Sequence, residues 1–183
     1  MTAPAPPSGG EPRDDAVNHE RFRRVMASFV TGVTVITTQV RGEVRGMTAN
    51  AFMSGSLDPP LCVVSVSKIA RMHGFLIESG HFGVSILARG QEALIGHFAG
   101  RPVERLDPKY DHAGGTPLLA HAQATIAAKV TARHDCGDHS LFVGAILALR
   151  HSEGLSPIVL HVGRLASLRH SQEQRGEPTL EFW

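Results

Sequence analysis

Six consecutive residues, Val33-Thr34-Val35-Ile36-Thr37-Thr38, are all branched at Cβ. Branching restricts χ1 against a helical turn and packs well on a pleated surface, so the run predicts a buried strand. Apolar runs at 44–47, 61–66, 82–87, 122–133, 140–150 and 158–168 predict further strands. Helical spacing is confined to three short stretches. About seven strands, three short helices and no regular βαβ alternation predict a mainly β fold, a barrel with helical decoration.

The first helix is expected over 19–29, capped by Asn18, with Phe22, Val25, Met26 and Phe29 on one side and Arg21, Arg23 and Arg24 facing outward. Thr31-Gly32 should break it. Arg41-Gly42-Glu43 should turn the chain into 44–47, which opens into the small polar stretch Thr48-Ala49-Asn50-Ala51. Pro59-Pro60 forces an extended lead into 61–66. The second helix carries Ile69, Met72, Phe75 and Leu76 and ends near Gly80; the third spans 91–98 and closes at Gly100. Residues 101–117, with three prolines and Gly114-Gly115, read as a long surface loop.

At roughly 100–200 residues per domain, 183 residues make one domain. Residues 1–17, with four prolines, read as a disordered tail, 18–170 as the folded domain and 171–183 as a second tail. With 18 basic against 17 acidic side chains there is no electrostatic footprint for nucleic acid. No apolar stretch approaches the ~20 residues that span a bilayer, so no membrane association is expected. Cys62 and Cys136 form no CxxC pair, which suits a reducing, cytoplasmic setting.

Four segments could carry chemistry. Gly46-Met47-Thr48-Ala49-Asn50-Ala51 would expose main-chain N–H groups, a hydroxyl and an amide to a planar polar ring or phosphate, or be simply a small-residue turn. Ser65-Val66-Ser67-Lys68-Ile69-Ala70-Arg71 joins a strand to a helix start; it suits an anion, and equally a capped helix with solvated cations. His134-Asp135-Cys136-Gly137-Asp138-His139 is rich in metal-ligand types, but zinc needs three or four ligands and Cys62 is distant, so no metal is expected. A polar hairpin turn remains open there, as does His139 acting as a hydrogen-bond donor at a pocket mouth. The fourth is Leu160-His161-Val162-Gly163-Arg164, inside the last expected strand. No GxGxxG, P-loop or GxSxG elbow is present.

Taken in order, Phe22-Arg23-Arg24, Thr31-Gly32-Val33-Thr34-Val35-Ile36-Thr37-Thr38, Gly46-Met47-Thr48-Ala49-Asn50, Ser56-Leu57-Asp58-Pro59-Pro60-Leu61 and Gly137-Asp138-His139 resemble the flavin reductase family. Its fold is the FMN-binding split β-barrel, and the resemblance spans roughly 19–168. It implies that Val44, Arg45, Gly46, Met47, Thr48, Asn50 and Ala51 hold an isoalloxazine ring. Ser65, Val66, Ser67, Arg71 and Met72 would take the ribityl chain and phosphate, and His97 and Phe98 would touch the flavin from the third helix. His139, Leu160, His161, Val162 and Gly163 would line the nicotinamide nucleotide site, with His139 positioning the dinucleotide. Where the family often has Ser, this chain has Ala51.

The resemblance further implies hydride transfer from NADH to FAD (or FMN), a homodimer, and delivery of reduced flavin to a partner monooxygenase acting on aromatic compounds. Hydride transfer needs two flat rings held in the right orientation and no protein nucleophile, which fits a chain without a catalytic triad. Two other readings are a flavin carrier or sensor without turnover, and a corrinoid-reducing flavoprotein on the same fold.

Overall fold

The computed structural model describes residues 18–168; the tails expected at 1–17 and 171–183 lie outside the described residues. All of the β-branched run but Val33 lies in a strand, β2 (Thr34–Val40), whose Val35 and Ile36 are both fully buried although they point to opposite faces. A strand covered on both sides has no polar face, which is why its sequence shows no alternation. Arg41 and Gly42, both at positive φ (53° and 81°), form the turn into β3 (Glu43–Ala49).

Ten more strands follow the same logic of pairing. They are β1 (Thr31–Gly32), β4 (Phe52–Leu57), β5 (Pro60–Ser67), β6 (His81–Ile86), β7 (Tyr110–Ala113), β8 (Thr116–Leu119), β9 (Ala124–Cys136), β10 (His139–His151), β11 (Ile158–His161) and β12 (Arg164–Ser167). The main sheet has the order β3-β2-β6-β9-β10-β5-β4. Its two edge strands, β3 and β4, are joined in the chain by Asn50 and Ala51 alone. The sheet must therefore curl until its edges adjoin, yet no ladder connects them: this is a barrel split between β3 and β4.

Inside the curl, Ile36, Val64, Val66, Phe82, Val84 and Phe142 form one buried cluster. Helix α2 (Arg71–Ser79) plugs it with Met72 and Leu76 and stops at Gly80 in the left-handed conformation (φ 67°). Outside the sheet, Val33, Val35, Leu87, Leu94, Leu119 and Ile158 form a second cluster under α3 (Glu92–Phe98). Helix α1 (His19–Ala27) is capped as expected, Asn18 Oδ1 accepting from Arg21 N at 2.8 Å.

Several expectations are corrected. Ile69 precedes α2 and is 95% exposed, so it is not part of a helical stripe. Arg21 is half-buried rather than outward, while Phe22, Val25, Met26 and Phe29 are exposed. Thr31-Gly32 is a short strand pairing with β11. The expected loop at 101–117 contains a hairpin: Gly114 and Gly115, both at positive φ, turn β7 into a wholly buried β8. The Thr37 hydroxyl donates to the Pro117 carbonyl, and Leu119 N donates to Ser85 Oγ at 2.9 Å, which anchors β8 to the barrel. The turn expected at 134–139 shrinks to Gly137-Asp138 because β9 runs on to Cys136. The last expected strand folds back at Val162-Gly163 into the β11–β12 hairpin. Strand β4 is additional to the expected strands, since a register shift between Ser54 and Ser56 blurs its alternation.

Candidate functional site

As an edge strand, β3 has a neighbour on one side only, so alternate main-chain N–H and C=O groups point out of the sheet. Its side chains are already engaged. Met47 and Ala49 pack against the interior cluster, and the Arg45 guanidinium lies 5.3 Å from the Phe75 ring centroid and pairs with Glu43. On the opposite face, α3 covers Gly46 and Thr48. A Cβ on Gly46 would stand 2.4 Å from the Phe98 ring, and Thr48 Oγ1 donates to the Ile95 carbonyl at 2.8 Å. The stretch expected to open at Thr48 instead stays in the ladder through Ala49, with the hydroxyl committed to α3. Phe98 thus reaches β3, and the His97 ring stands edge to face with it at 5.0 Å between centroids. The His97 ring is fixed further by Val103 N donating to Nδ1 at 3.3 Å.

At the split itself, Asn50 Nδ2 donates to Thr31 Oγ1 at 3.4 Å, and the Ala51 carbonyl accepts from Ser65 N at 3.0 Å. Thr31 is in register with Leu160, and Val162 N donates to the Ala27 carbonyl at 2.9 Å. The tip Leu160-His161-Val162-Gly163 is therefore tied both to the strand beside Asn50 and to the end of α1. On β5, Ser65 and Ser67 sit on the outer face, and neither hydroxyl is hydrogen-bonded among the described residues. Val66 and Met72 are buried at 1% and 4% exposure, so they can offer a ligand only main chain. Arg71 is exposed and makes no ion pair among the described residues, whereas Lys68 Nζ lies 3.4 Å from Asp135.

His139 opens β10, directly opposite Ser67 on β5. Its Nδ1 is 2.8 Å from Asp138 Oδ1, which turns Nε2 away from the turn. That hydrogen bond and the His139 charge hold the Asp138 carboxyl below its ordinary range, with a smaller pull from His19 at the start of α1. Residues 31, 50, 51, 65, 67, 139 and 160, scattered through the sequence, are thus linked pair by pair along one rim. Among the described residues no three metal-ligating side chains converge. Burial pushes the Cys62 thiol up to about 11, which leaves it unreactive.

The same rim brings in residues not expected there from the sequence. Thr31 meets Asn50, and Ser140 and His73 lie beneath His139. Each partnership joins segments far apart in the chain, so no local spacing signals it. A cleft of about 790 Å³ lies elsewhere, at the opposite end of α3 from Phe98; Arg89, Gln91, His121 and Arg150 line it, with none of the rim residues.

A family model described as the flavin reductase like domain matches residues 26–169. An NADH-dependent flavin reductase from a Rhodococcus species is 41% identical over 158 residues, 85% of this chain and 89% of that protein. The reductase component of a 4-hydroxyphenylacetate 3-monooxygenase from Thermus thermophilus is 39% identical over 140 residues, 76% of this chain and 90% of that protein. Among solved structures, flavin reductase PheA2 in its native state superposes with a TM-score of 0.81 at 38% identity, covering 84% of this chain and 100% of that one.

Proposed function

This chain belongs to the flavin reductase like family, and from that membership we propose an NADH-dependent flavin reductase that reduces FAD or FMN and supplies it to a partner monooxygenase. The bound nicotinamide and flavin supply the hydride chemistry; the protein's task is to hold two flat rings in reactive orientation. The observation that carries the reading is the continuous rim from Leu160 through Thr31, Asn50, Ala51, Ser65 and Ser67 to His139.

Along that rim the free edge of β3 from Val44, with Asn50 and Ala51 that follow it, offers main-chain donors to the flavin ring. Donors fixed before reaction stabilise the negative charge that reduction places on the ring, at no reorganisation cost. The hydroxyls of Ser65 and Ser67 and the Arg71 guanidinium, without hydrogen-bond or ion-pair partners among the described residues, suit the ribityl chain and phosphate. His97 and Phe98 brace the edge from α3. His139 Nε2 and the tip Leu160-His161-Val162-Gly163 flank the nicotinamide side, and His139 positions the dinucleotide without taking a proton.

The protein works as a homodimer in the cytoplasm. Phe22, Val25 and Phe29 of the α1 segment are 59%, 63% and 70% exposed, an apolar face that a second copy would cover. Cys62 and Cys136 are both free thiols, which suits a reducing compartment. An aromatic compound is the substrate class assigned to the partner monooxygenase.

The test is steady-state NADH consumption by the purified protein with no flavin, FAD, FMN or a cobalt corrinoid. Consumption that saturates with added FAD or FMN supports the reading. A protein that purifies yellow and consumes no NADH is a carrier, and turnover with the corrinoid alone makes it a corrinoid reductase.

A further inference from the structure

Below His139 lies a polar chain that the reaction itself does not require. Ser140, fully buried, donates its hydroxyl to Asp135 Oδ1 at 3.0 Å. Its one proton is then spent, so at 2.9 Å from His73 Nε2 it must accept, which assigns the ring proton of His73 to Nε2. The His73 ring is set edge-on against Phe142, with centroids 5.3 Å apart. The other oxygen of Asp135, Oδ2, lies 3.4 Å from Lys68 Nζ, and Lys68 N donates to the Asp138 carbonyl at 2.9 Å. Four elements are tied in this way: the end of β5, helix α2, the end of β9 and the start of β10.

We propose that Asp135 is a positioning residue: by holding Lys68 and Ser140 together it clamps the Gly137-Asp138-His139 turn onto the β5–α2 connection and so sets where His139 meets the dinucleotide. The proposal rests on the flavin reductase reading above and adds a division of labour between two cations. Lys68 is engaged by Asp135 and serves the turn, while Arg71, without an ion pair among the described residues, is left for the flavin phosphate. The Ser140 hydroxyl first, and the Lys68 ammonium next, hold the Asp135 carboxyl below its ordinary range, so it is the ionised acceptor that this arrangement needs.

The experiment measures KM for NADH and KM for FMN separately in wild type, Asp135→Ala, Lys68→Ala and Lys68→Arg, together with kcat and the melting temperature. Loss of this solvent-exposed contact at the turn should raise KM for NADH about three- to fivefold. KM for FMN and kcat should stay within about twofold of wild type, and Lys68→Arg should restore most of the loss. Lys68 is partly exposed, so Lys68→Ala decides the matter if Asp135→Ala fails to fold. A rise in KM for FMN, or no change in either KM, overturns the proposal while leaving the reductase reading intact. A wild-type protein with no flavin-dependent NADH consumption overturns both.

Discussion

The Phe98 ring occupies the space where Gly46 would carry a Cβ, 2.4 Å from Cδ1 and Cε1. The glycine lets α3 lie directly on the edge strand of the split barrel. Gly46→Ala must push the ring away, and an overpacked contact of this kind costs about 1–3 kcal/mol. The expected result is a lower melting temperature, together with a raised KM for flavin because His97 and Phe98 shift from the rim. Thermal unfolding and flavin titration of the same variant check both.

Val162 sits at φ 48°, a conformation that a β-branched residue rarely adopts, and Gly163 follows at φ 70°. The tip is held there by the hydrogen bond from Val162 N to Ala27 and by the β11–β12 register. Asparagine tolerates this conformation far better. Val162→Asn is therefore expected to raise stability by about 1 kcal/mol, read from denaturant unfolding. An unchanged or lowered midpoint would show that the tip carries no strain.

Arg71 should bind phosphate and nothing else on the flavin. Arg71→Ala is expected to raise KM for FMN about tenfold, the scale of one lost charge-assisted hydrogen bond. KM for riboflavin, which has no phosphate, should not move. Equal losses for FMN and riboflavin would place Arg71 near the ring or the sugar chain instead.

The two thiols should react very differently. Cys62 is 1% exposed and its thiol is raised to about 11, while Cys136 is exposed at the end of β9. The thiolate is the reactive form, and its fraction at Cys62 falls about tenfold for each unit by which the pKa is raised. Iodoacetamide at pH 8 should label Cys136 alone in the folded protein and both cysteines in denaturant, as counted by mass spectrometry. Labelling of both in the folded protein would contradict the burial of β5.

Much of the barrel was legible because its central strands declare themselves. The β-branched run of β2, the apolar run of β5 and Gly80 at the end of α2 each follow from local chemistry. Strands with a turn hidden inside them were not. Gly114-Gly115 resembles loop composition until the burial of 116–119 is known, and Val162 is a poor turn former by type, so the β11–β12 hairpin read as one strand. At the rim, the ordered motifs led to Asn50, Ser65 and His139, and the structure places these along one line. The engagement of Thr48 by Ile95, and the Lys68–Asp135–Ser140–His73 chain, arise from tertiary pairing and leave no local trace.

Where the flavin lies decides the function proposed for the rim, and crystals grown with FMN test it directly. The ring should lie along the outer edge of β3 beside Thr48, Ala49 and Asn50, with the phosphate near Ser65, Ser67 and Arg71 and one ring face open toward His139 and Val162. A ring found instead in the cleft between Arg89 and Arg150, with the β3 edge bare, would contradict it.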